Sequence, residues 1–570
     1  MRLSFPPSRK TGSFFDRSSM SQFLLSFVKN LRLVAALGSV LSMAFMFVMI
    51  QGCTKKSQTV EVLLVDGSKA KLPVAETLRV SIVSEPPTLD WNKAADTTSS
   101  EVINNIMEGL VQYDLNDKEL KLLPALAESW SSSGESKTWT FKLRKDVVWS
   151  DGVPFTAQHV VDGWKRLLAK ETASEYAYFL FNIKNAQPFN QGKVPFSAVG
   201  VKAKGTHELV VELESPMGYF PSLMTHTATY PVRMDLIEKF GDQWTEPRHI
   251  ATLGPFKLMS WEHDKQIALD RLDTYYGQKP SFKNVVMYMI QENATAISLF
   301  DAGKLDAVDT LPSVELRKLR TRKEYRETGI LSIYYYGFNT QKAPMDNPLV
   351  RKAFAMAIDR QEIVQMLAGG QMPLTSWVPA GMFGYEPEIG LGFNPEKARD
   401  LLKEAGYDDL SKFPKVEIRF NTVEDHQRVG ENIQAQLKRN LGINVELKNE
   451  EWKVYLNSLN TDTPQIYRFG WVADYPDPDN FLAVMSSISD NNKTKWKNAK
   501  YDALVKKGAS MTDKEERRKI YAQAQKIMVE EDVPVVPLFN SVSHHLVSER
   551  VQNYPVNVMT LFIFKGVNLK

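Results

Sequence analysis

The stretch from Thr138 to Trp164 has the sequence TWTFKLRKDVVWSDGVPFTAQHVVDGW. Trp139, Phe141 and Leu143 alternate with polar residues, which is typical of a strand with one buried face. A Trp-Ser-Asp-Gly turn follows, and Thr156 can cap a helix whose apolar residues recur at helical spacing. Strand, turn and helix signals in succession predict a mixed α/β fold.

Similar signals recur further along the chain. Asn347-Pro348 predicts a helix start with proline at the first helical position, and we expect this helix to run to Gly369-Gly370. Asn394-Pro395 repeats the same start. A strand-helix-strand unit is predicted at residues 416–420, about 428–440 and 443–447. This region therefore indicates a separate α/β lobe.

Length and composition limit the class of protein. A chain of 570 residues predicts two to four domains, and 43% hydrophobic with 24% charged residues excludes a disordered chain. Residues 1–53 hold six basic residues and one acidic residue, so the rest of the chain has 64 basic and 66 acidic residues. A slightly acidic body without a concentrated basic face argues against nucleic-acid binding.

The amino terminus has the features of an export signal. An apolar run from Leu33 to Ile50 follows two basic residues and ends just before Gly52-Cys53. Cys53, the only cysteine, stands where a bacterial lipoprotein signal is cut, and the site resembles a lipobox although Gln51 replaces the usual small residue. We predict a signal at 1–53 and a tether at 54–75, with an uncleaved transmembrane helix or a start at Met20 as alternatives.

Sequence motifs of common enzymes and metal sites are absent. The chain has no G-x-S-x-G, H-E-x-x-H, Walker or G-x-G-x-x-G motif. The adjacent pair His544-His545 would point to opposite faces of a strand. The acidic stretch from Asp474 to Asn480 lacks the spacing and terminal glutamate of a calcium loop. We therefore predict no catalytic residue, no metal and no cofactor.

The opening stretch resembles a characteristic region of the extracellular peptide-binding proteins that serve ABC importers. The resemblance continues in the family's order over nearly the whole body and is strongest to periplasmic oligopeptide-binding proteins, including the branch that binds murein peptides. The matching segments are Glu85–Leu110, Leu123–Trp130, Glu238–Pro247, Thr252–Trp261, Tyr334–Pro344, Leu349–Arg360, Asn449–Leu456 and Gly470–Pro478.

The resemblance implies a hinged, two-lobed periplasmic-binding-protein fold of type II-like architecture with an additional inserted domain. Lobe one is expected at 76–111, 232–331 and 540–570, the inserted domain at 112–231 and lobe two at 332–539. Hinges are expected near Leu331 and Phe539. A ligand bound between the lobes would stabilise the closed state, because only there does it contact both walls.

The function implied by the resemblance is that of an extracytoplasmic substrate-binding protein. It would capture oligopeptides as a monomer and deliver them to an ABC permease with its ATPase subunits, anchored in the membrane by a lipid on Cys53. Alternatives within the fold are murein peptides, dipeptides, signalling peptides or a metal chelate as ligand. Alternatives of another class are a peptide-holding chaperone or sensor and a peptide hydrolase.

The segment from Arg468 to Asp474 is the expected core of the binding site. As a strand that ends in an acid, it could pair with an extended peptide through Gly470 and Val472. Asp474 would then meet the peptide's α-ammonium, and the family uses the matching aspartate in this way.

Other residues match family positions near the ligand. Trp471 and Trp452 match positions that line side-chain pockets, and Tyr176 is an aromatic residue of the insert. Core packing is the alternative for these three rings. The remaining expected site residues are Tyr475, Asn421 and His426, of which His426 could meet a ligand carboxylate or lie on the surface.

Several positions depart from the family's pattern. Close members carry a disulfide that joins the positions of Ser332 and Val472. In the family, basic residues bind the C-terminal carboxylate of the peptide. Arg468 is kept, but Ala368 and Leu459 replace two others. Ser99 occupies a position where a glutamate is expected. The preferred peptide length is left open by these departures.

Overall fold

The computed structural model describes residues 58–117 and 119–570. The predicted signal and Cys53 lie outside the described residues. None of the helices in the described ranges is long and apolar enough to cross a membrane.

The described residues form short strands throughout. In chain order, the first twelve strands are β1 Thr59–Leu63, β2 Lys69–Pro73, β3 Thr77–Ile82, β4 Val111–Tyr113, β5 Leu122–Pro124, β6 Ala127–Ser133, β7 Thr138–Leu143, β8 Val201–Ala203, β9 Glu208–Glu212, β10 Phe256–Glu262, β11 Gln266–Arg271 and β12 Asn284–Met289. The others are β13 Ala307–Val308, β14 Tyr325–Gly329, β15 Ser332–Phe338, β16 Met372–Pro373, β17 Val416–Asn421, β18 Val445–Glu450, β19 Ile466–Val472, β20 Val535–Asn540, β21 Val542–Val547, β22 Val551–Gln552 and β23 Asn568–Leu569.

Helices separate many of these strands. In chain order they are α1 Thr97–Ile106, α2 Ala157–Leu168, α3 Ala186–Asn190, α4 Phe220–Leu223, α5 Met234–Phe240, α6 Asn293–Asp301, α7 Leu316–Leu319, α8 Pro348–Ala357, α9 Arg360–Leu367, α10 Pro395–Glu404, α11 Glu424–Leu441, α12 Trp452–Thr461, α13 Pro478–Ala483, α14 Ala499–Ala509 and α15 Lys514–Lys526.

Two large sheets organise the molecule. A seven-stranded sheet has the order β10-β11-β12-β3-β13-β21-β14, and its strands fall within the three ranges expected for lobe one. A six-stranded sheet has the order β16-β20-β15-β19-β17-β18 and falls within the range expected for lobe two, apart from the last residue of β20. Strand β15 is buried along its whole length, with Ile333 and Tyr335 in one core and Tyr334 and Tyr336 in another.

The chain crosses between the two large sheets at two neighbouring places. Gly329 ends β14 and Ser332 begins β15, while Asn540 ends β20 and Val542 begins β21. The side-chain amide of Asn540 donates to the carbonyls of Ile330 at 3.2 Å and Ser332 at 2.8 Å. The crossings are therefore joined to each other and lie within two residues of the positions expected for hinges.

A four-stranded sheet, β6-β7-β9-β8, lies in the range expected for the inserted domain. Trp139, Phe141 and Leu143 of β7 are buried as the alternation predicts. Thr156 and His159 form a capping box at the start of α2, in which each side chain accepts a hydrogen bond from the backbone N–H of the other residue. The strand-turn-helix prediction from the opening stretch is confirmed.

The second lobe confirms most of the local predictions and corrects one. Strands β17 and β18 are parallel and are joined through α11, as expected for a strand-helix-strand unit. The single helix predicted from Asn347-Pro348 to Gly369-Gly370 is wrong, since α8 ends at Ala357 and α9 begins at Arg360. Asp359 accounts for the break, because its side chain accepts the backbone N–H groups of the new first turn.

The tether prediction also needs correction. Residues 59–73 of the predicted tether form the antiparallel pair β1-β2. Val62 and Leu72 of this hairpin are buried against Ala268 and Val286 of the seven-stranded sheet. The alternating apolar residues of β1 supply a buried face, which the overall polarity of the segment conceals.

Candidate functional site

Two adjoining cavities of about 230 and 360 Å³ lie between the two large sheets, and together they are called the cleft below. Concave sites with a few polar groups among apolar walls are typical of ligand sites. The residues that line both cavities are Thr97, Glu101, Arg468, Gly470, Trp471, Val472 and Thr560. Four of these seven belong to β19, the strand that the sequence indicated.

One edge of β19 lies along the cleft. On this side, β17 pairs only with Ile466 and Tyr467, the first two residues of β19. Within the described ranges, no strand lies beside this edge of β19 from Arg468 onward. The N–H of Ala473 donates to the carbonyl of Leu331. Along an antiparallel strand, successive residues direct their N–H and C=O groups to opposite sides. Since Ala473 bonds toward Leu331, the N–H and C=O groups of Val472 and Gly470 point away from β15, toward this edge.

Asp474 follows β19, and its carboxylate is held by two hydrogen-bond donors beside the His226 imidazole. Its Oδ1 accepts from the Tyr176 hydroxyl at 3.3 Å and its Oδ2 accepts from Asn480 Nδ2 at 2.8 Å. His226 Nε2 lies 3.3 Å from Oδ1. His226 Nδ1 accepts the N–H of Ala228, so a neutral imidazole carries its hydrogen on Nε2. The carboxylate is thus fixed in orientation while its side chain remains 12% exposed.

Burial raises the pKa of Tyr176 well above its ordinary value, and the charge of Asp474 adds to this effect. The hydroxyl therefore stays protonated and acts as a donor to Asp474. Tyr176 itself is buried and lines the smaller cavity. The structure thus brings the predicted residue of the insert to the predicted anchor of lobe two.

The predicted aromatic residues differ in their positions. Trp471 is buried and donates Nε1–H to Asn480 Oδ1 at 2.9 Å, and Trp452 donates to Asp96 Oδ1 at 3.3 Å. Both indole rings line the smaller cavity. Tyr475 lines neither cavity, because its ring is buried behind Asp474 and its hydroxyl donates to Asp479.

Arg468 faces the cleft, whereas Asn421 and His426 lie behind it. The Arg468 guanidinium donates to Asn421 Oδ1 at 3.2 Å and lies 4.3 Å from the centre of the Tyr334 ring. His426 Nδ1 is 3.3 Å from the Tyr334 hydroxyl. Burial, with the charge of Arg468, lowers the pKa of His426 well below its ordinary value. His426 is therefore neutral near pH 7. Among the described residues that line the cleft, Arg468 is the only lysine or arginine.

The positions that depart from the family's pattern are now located. Ser332 and Val472 are direct cross-strand partners of β15 and β19, and Ser332 Oγ is buried without a hydrogen-bond partner in the described structure. Ser99 is fully buried in α1, Leu459 is buried in the core and Ala368 is exposed at the end of α9. The last three residues line neither cavity.

Sequence reasoning missed the opposite side of the cleft, called the lobe-one wall here. This wall comes from α1 with its cap, from the chain after β13 and from a loop near the carboxyl terminus. Its cleft-lining residues include Asp96, Thr97, Glu101, Asn104, Asp309, Thr310, Met559, Thr560, Leu561 and Phe562. The α1 residues fall inside the matching segment Glu85–Leu110, but no local signal separates the cleft-lining residues from their neighbours.

Comparison with known proteins agrees with this architecture. Residues 121–493 match the family model of bacterial extracellular solute-binding proteins, family 5. The periplasmic oligopeptide-binding protein OppA of Escherichia coli is 35% identical over 485 residues, which cover 83% of this chain and 88% of that protein. The structure of Haemophilus influenzae OppA in complex with RPPGFSPFR has a TM-score of 0.82 at 32% identity, covering 87% of this chain and 99% of that one.

A third relative bears on the arrangement of the lobes. The Escherichia coli murein tripeptide-binding protein MppA has a TM-score of 0.83 at 29% identity, covering 89% of this chain and 99% of that one. The unliganded open form of MppA gives a TM-score of only 0.60. The lobes of this chain are therefore arranged more like those of the first MppA structure than like those of the open form. The predicted two-lobed α/β fold with an additional domain is confirmed, and the chain belongs to the bacterial extracellular solute-binding proteins of family 5.

Proposed function

We propose that this protein binds oligopeptides between its lobes and delivers them, as a monomer, to an ABC permease and its ATPase subunits. The observation that carries the proposal is the open edge of β19, which runs along the cleft and ends at Asp474. An extended peptide can add to such an edge as a further strand.

Main-chain pairing suits a receptor for many sequences. Every peptide offers the same N–H and C=O groups, and those of Gly470 and Val472 point toward the cleft edge. Side chains of the peptide would then enter the two cavities, where water can fill the remaining space. The fixed carboxylate of Asp474 is complementary to the peptide's α-ammonium.

The two crossings between the sheets supply the hinge in this proposal. Residues 330–331 and 541 are the short segments that join the lobes, and a small backbone change there would move one cleft wall against the other. A ligand that contacts both walls favours the closed arrangement. The protein acts by binding, without chemistry on the peptide.

Native mass spectrometry of the full chain, purified in mild detergent without denaturation, tests the proposal. We expect adducts that release intact peptides of mixed sequence and narrow length, which sequencing would identify. A chain that carries no peptide and binds none from a free-amine peptide library would contradict peptide binding. A bound molecule without an α-amine would show that the ligand is not a free-amine peptide.

We also propose that Cys53 is acylated, which would hold the protein at the outer face of a membrane. The apolar run before Gly52-Cys53 supports this proposal, and the family's extracellular location agrees with it. Metabolic labelling with a palmitate analogue should mark the wild-type protein and not Cys53→Ser. Equal labelling of both proteins, or none, would rule out this anchor.

A further inference from the structure

Glu101 on α1 is the carboxyl group of the described cleft whose bonding is least explained. It lines both cavities, so it lies where they join. Its Oε1 atom is buried, and among the described residues it has no hydrogen-bond partner. A buried carboxyl oxygen without a partner is costly, so a structural carboxyl is normally bonded. The missing partner is therefore expected from the ligand.

The surroundings of Glu101 are acidic. Asp309 is close enough for its charge to act on Glu101, and that carboxylate is already bonded to His545 Nδ1 at 2.8 Å and to the Tyr554 hydroxyl. Across the cleft, Arg468 donates through Nη1 to Asn421 and lies over the Tyr334 ring on the opposite wall, while its buried Nε has no partner in the described structure. Glu101 Oε1 therefore accepts no hydrogen bond from a lysine or arginine among the described residues.

We propose that Glu101 determines ligand specificity by accepting a hydrogen bond from a cationic side chain, the ammonium of lysine or the guanidinium of arginine, in the bound peptide. This inference rests on the proposed function and names a ligand class for the same cleft. Asp474 binds the α-ammonium, which every linear peptide with a free amino terminus has. Glu101 binds a cationic side chain, which only some peptides have. A charge-assisted contact with a buried acceptor discriminates strongly against an apolar isostere.

The protonation of Glu101 gives the proposal a second readout. Burial and the charge of Asp309 raise the pKa of Glu101 well above its ordinary value. A bound cation favours the ionised carboxylate and lowers that pKa again. The titratable and charged groups around Glu101 are Asp309 and Tyr554, which interact with its charge, His545, which is bonded to Asp309, and Arg468, which lines the same cleft. Binding of a lysine peptide should therefore release a proton that an uncharged isostere does not release.

The test uses tripeptides with a free α-amine that carry lysine or norleucine at one position, with alanine elsewhere. The position is varied from one to three, because the register of the peptide is unknown. Affinity is measured by isothermal titration calorimetry for the wild type and for Glu101→Gln, in two buffers of different ionisation enthalpy. Glu128→Gln is the matched control, since Glu128 is exposed and lines neither cavity.

We expect lysine to bind at least about tenfold more tightly than norleucine at one position in the wild type and in Glu128→Gln. In Glu101→Gln the ratio should fall to about one, with the proton release lost. An unchanged norleucine affinity and melting temperature would show that this variant is folded.

Two results would overturn the proposal while leaving peptide binding intact. The first is equal affinity for lysine and norleucine peptides at every position. The second is a lysine preference that survives in Glu101→Gln. If no tripeptide or longer peptide binds to the wild type, the proposed function itself fails, and the inference fails with it.

Discussion

The two walls of the cleft are built in opposite ways. On the lobe-two side, seven consecutive residues from Arg468 to Asp474 form one wall, and the carboxylate of Asp474 accepts hydrogen bonds from Tyr176 and Asn480. The lobe-one wall is assembled from α1, from the chain after β13 and from residues 559–562, and its Glu101 lacks a partner in the described structure.

This difference suggests a division of labour. A rigid strand edge with a fixed carboxylate suits the groups that all peptides share, which are the main chain and the α-ammonium. An unsatisfied group on a wall made of separate segments suits a feature that varies between peptides. The predictions below test whether the β19 wall is rigid and general.

The largest effect is expected from a cross-link in the β19 wall. Ser332 and Val472 are direct cross-strand partners, a geometry in which paired cysteines can form a disulfide. The double variant Ser332→Cys and Val472→Cys should gain about 2–4 kcal/mol in free energy of unfolding. Urea denaturation with and without reductant measures the gain. Failure of the pair to oxidise would show that the two strands are not held in this register.

Removing the charge of Asp474 should have the next largest effect. Asp474→Asn keeps the shape but loses a charge-assisted bond to the α-ammonium, which is worth about 1.5–3 kcal/mol. We expect the affinity for a free-amine tripeptide to fall about tenfold to a hundredfold. The N-acetylated peptide is the control. If its affinity falls equally, Asp474 does not contact the amine.

A smaller loss is expected when a support of Asp474 is removed. Tyr176→Phe deletes the hydroxyl that donates to Asp474 Oδ1, at a cost of about 0.5–1.5 kcal/mol in peptide binding. Tyr475→Phe is the matched control, because its hydroxyl bonds to Asp479 behind the cleft. That control should lose stability in urea but bind peptide as the wild type does. Equal binding losses in both variants would mean that the effect is general loosening.

The smallest effect is expected from the protonation of His426. Its pKa lies well below the ordinary value, so lowering the pH from 7 to 6 leaves the imidazole neutral. The affinity for trialanine should change by less than about twofold over this interval, since the peptide's α-ammonium is charged throughout. Calorimetry at both pH values measures it. A severalfold gain at pH 6 that vanishes in His426→Gln would instead make His426 a cationic contact for the ligand's carboxylate.

Local sequence signals were most informative where the answer depends on near neighbours. The alternation at Trp139, Phe141 and Leu143 and the cap at Thr156 gave the correct strand and helix. The same reasoning failed at Asp359, because a capping residue inside an apolar periodic run is hidden by the stronger periodicity. It also treated the alternation in β1 as part of a polar linker.

The candidate site shows the same limit. The resemblance and the residues themselves pointed to Arg468, Gly470, Trp471, Val472 and Asp474, which lie in one short segment. Positions behind the cleft, such as Tyr475 and His426, could not be separated from lining positions, because burial depends on what packs from other parts of the chain.

The sequence by itself determined the α/β class, the order of the main elements and the strand that ends in an acid, because each depends on patterns within a few residues. Only the tertiary structure decided which groups meet across the cleft. Glu101 and Asp309 are 208 positions apart in the sequence and Tyr176 is 298 positions from Asp474, so no local pattern relates them. The packing of the sheets and the two crossings bring these groups together. Which side chains contact each other in the cleft therefore depends on the folded chain.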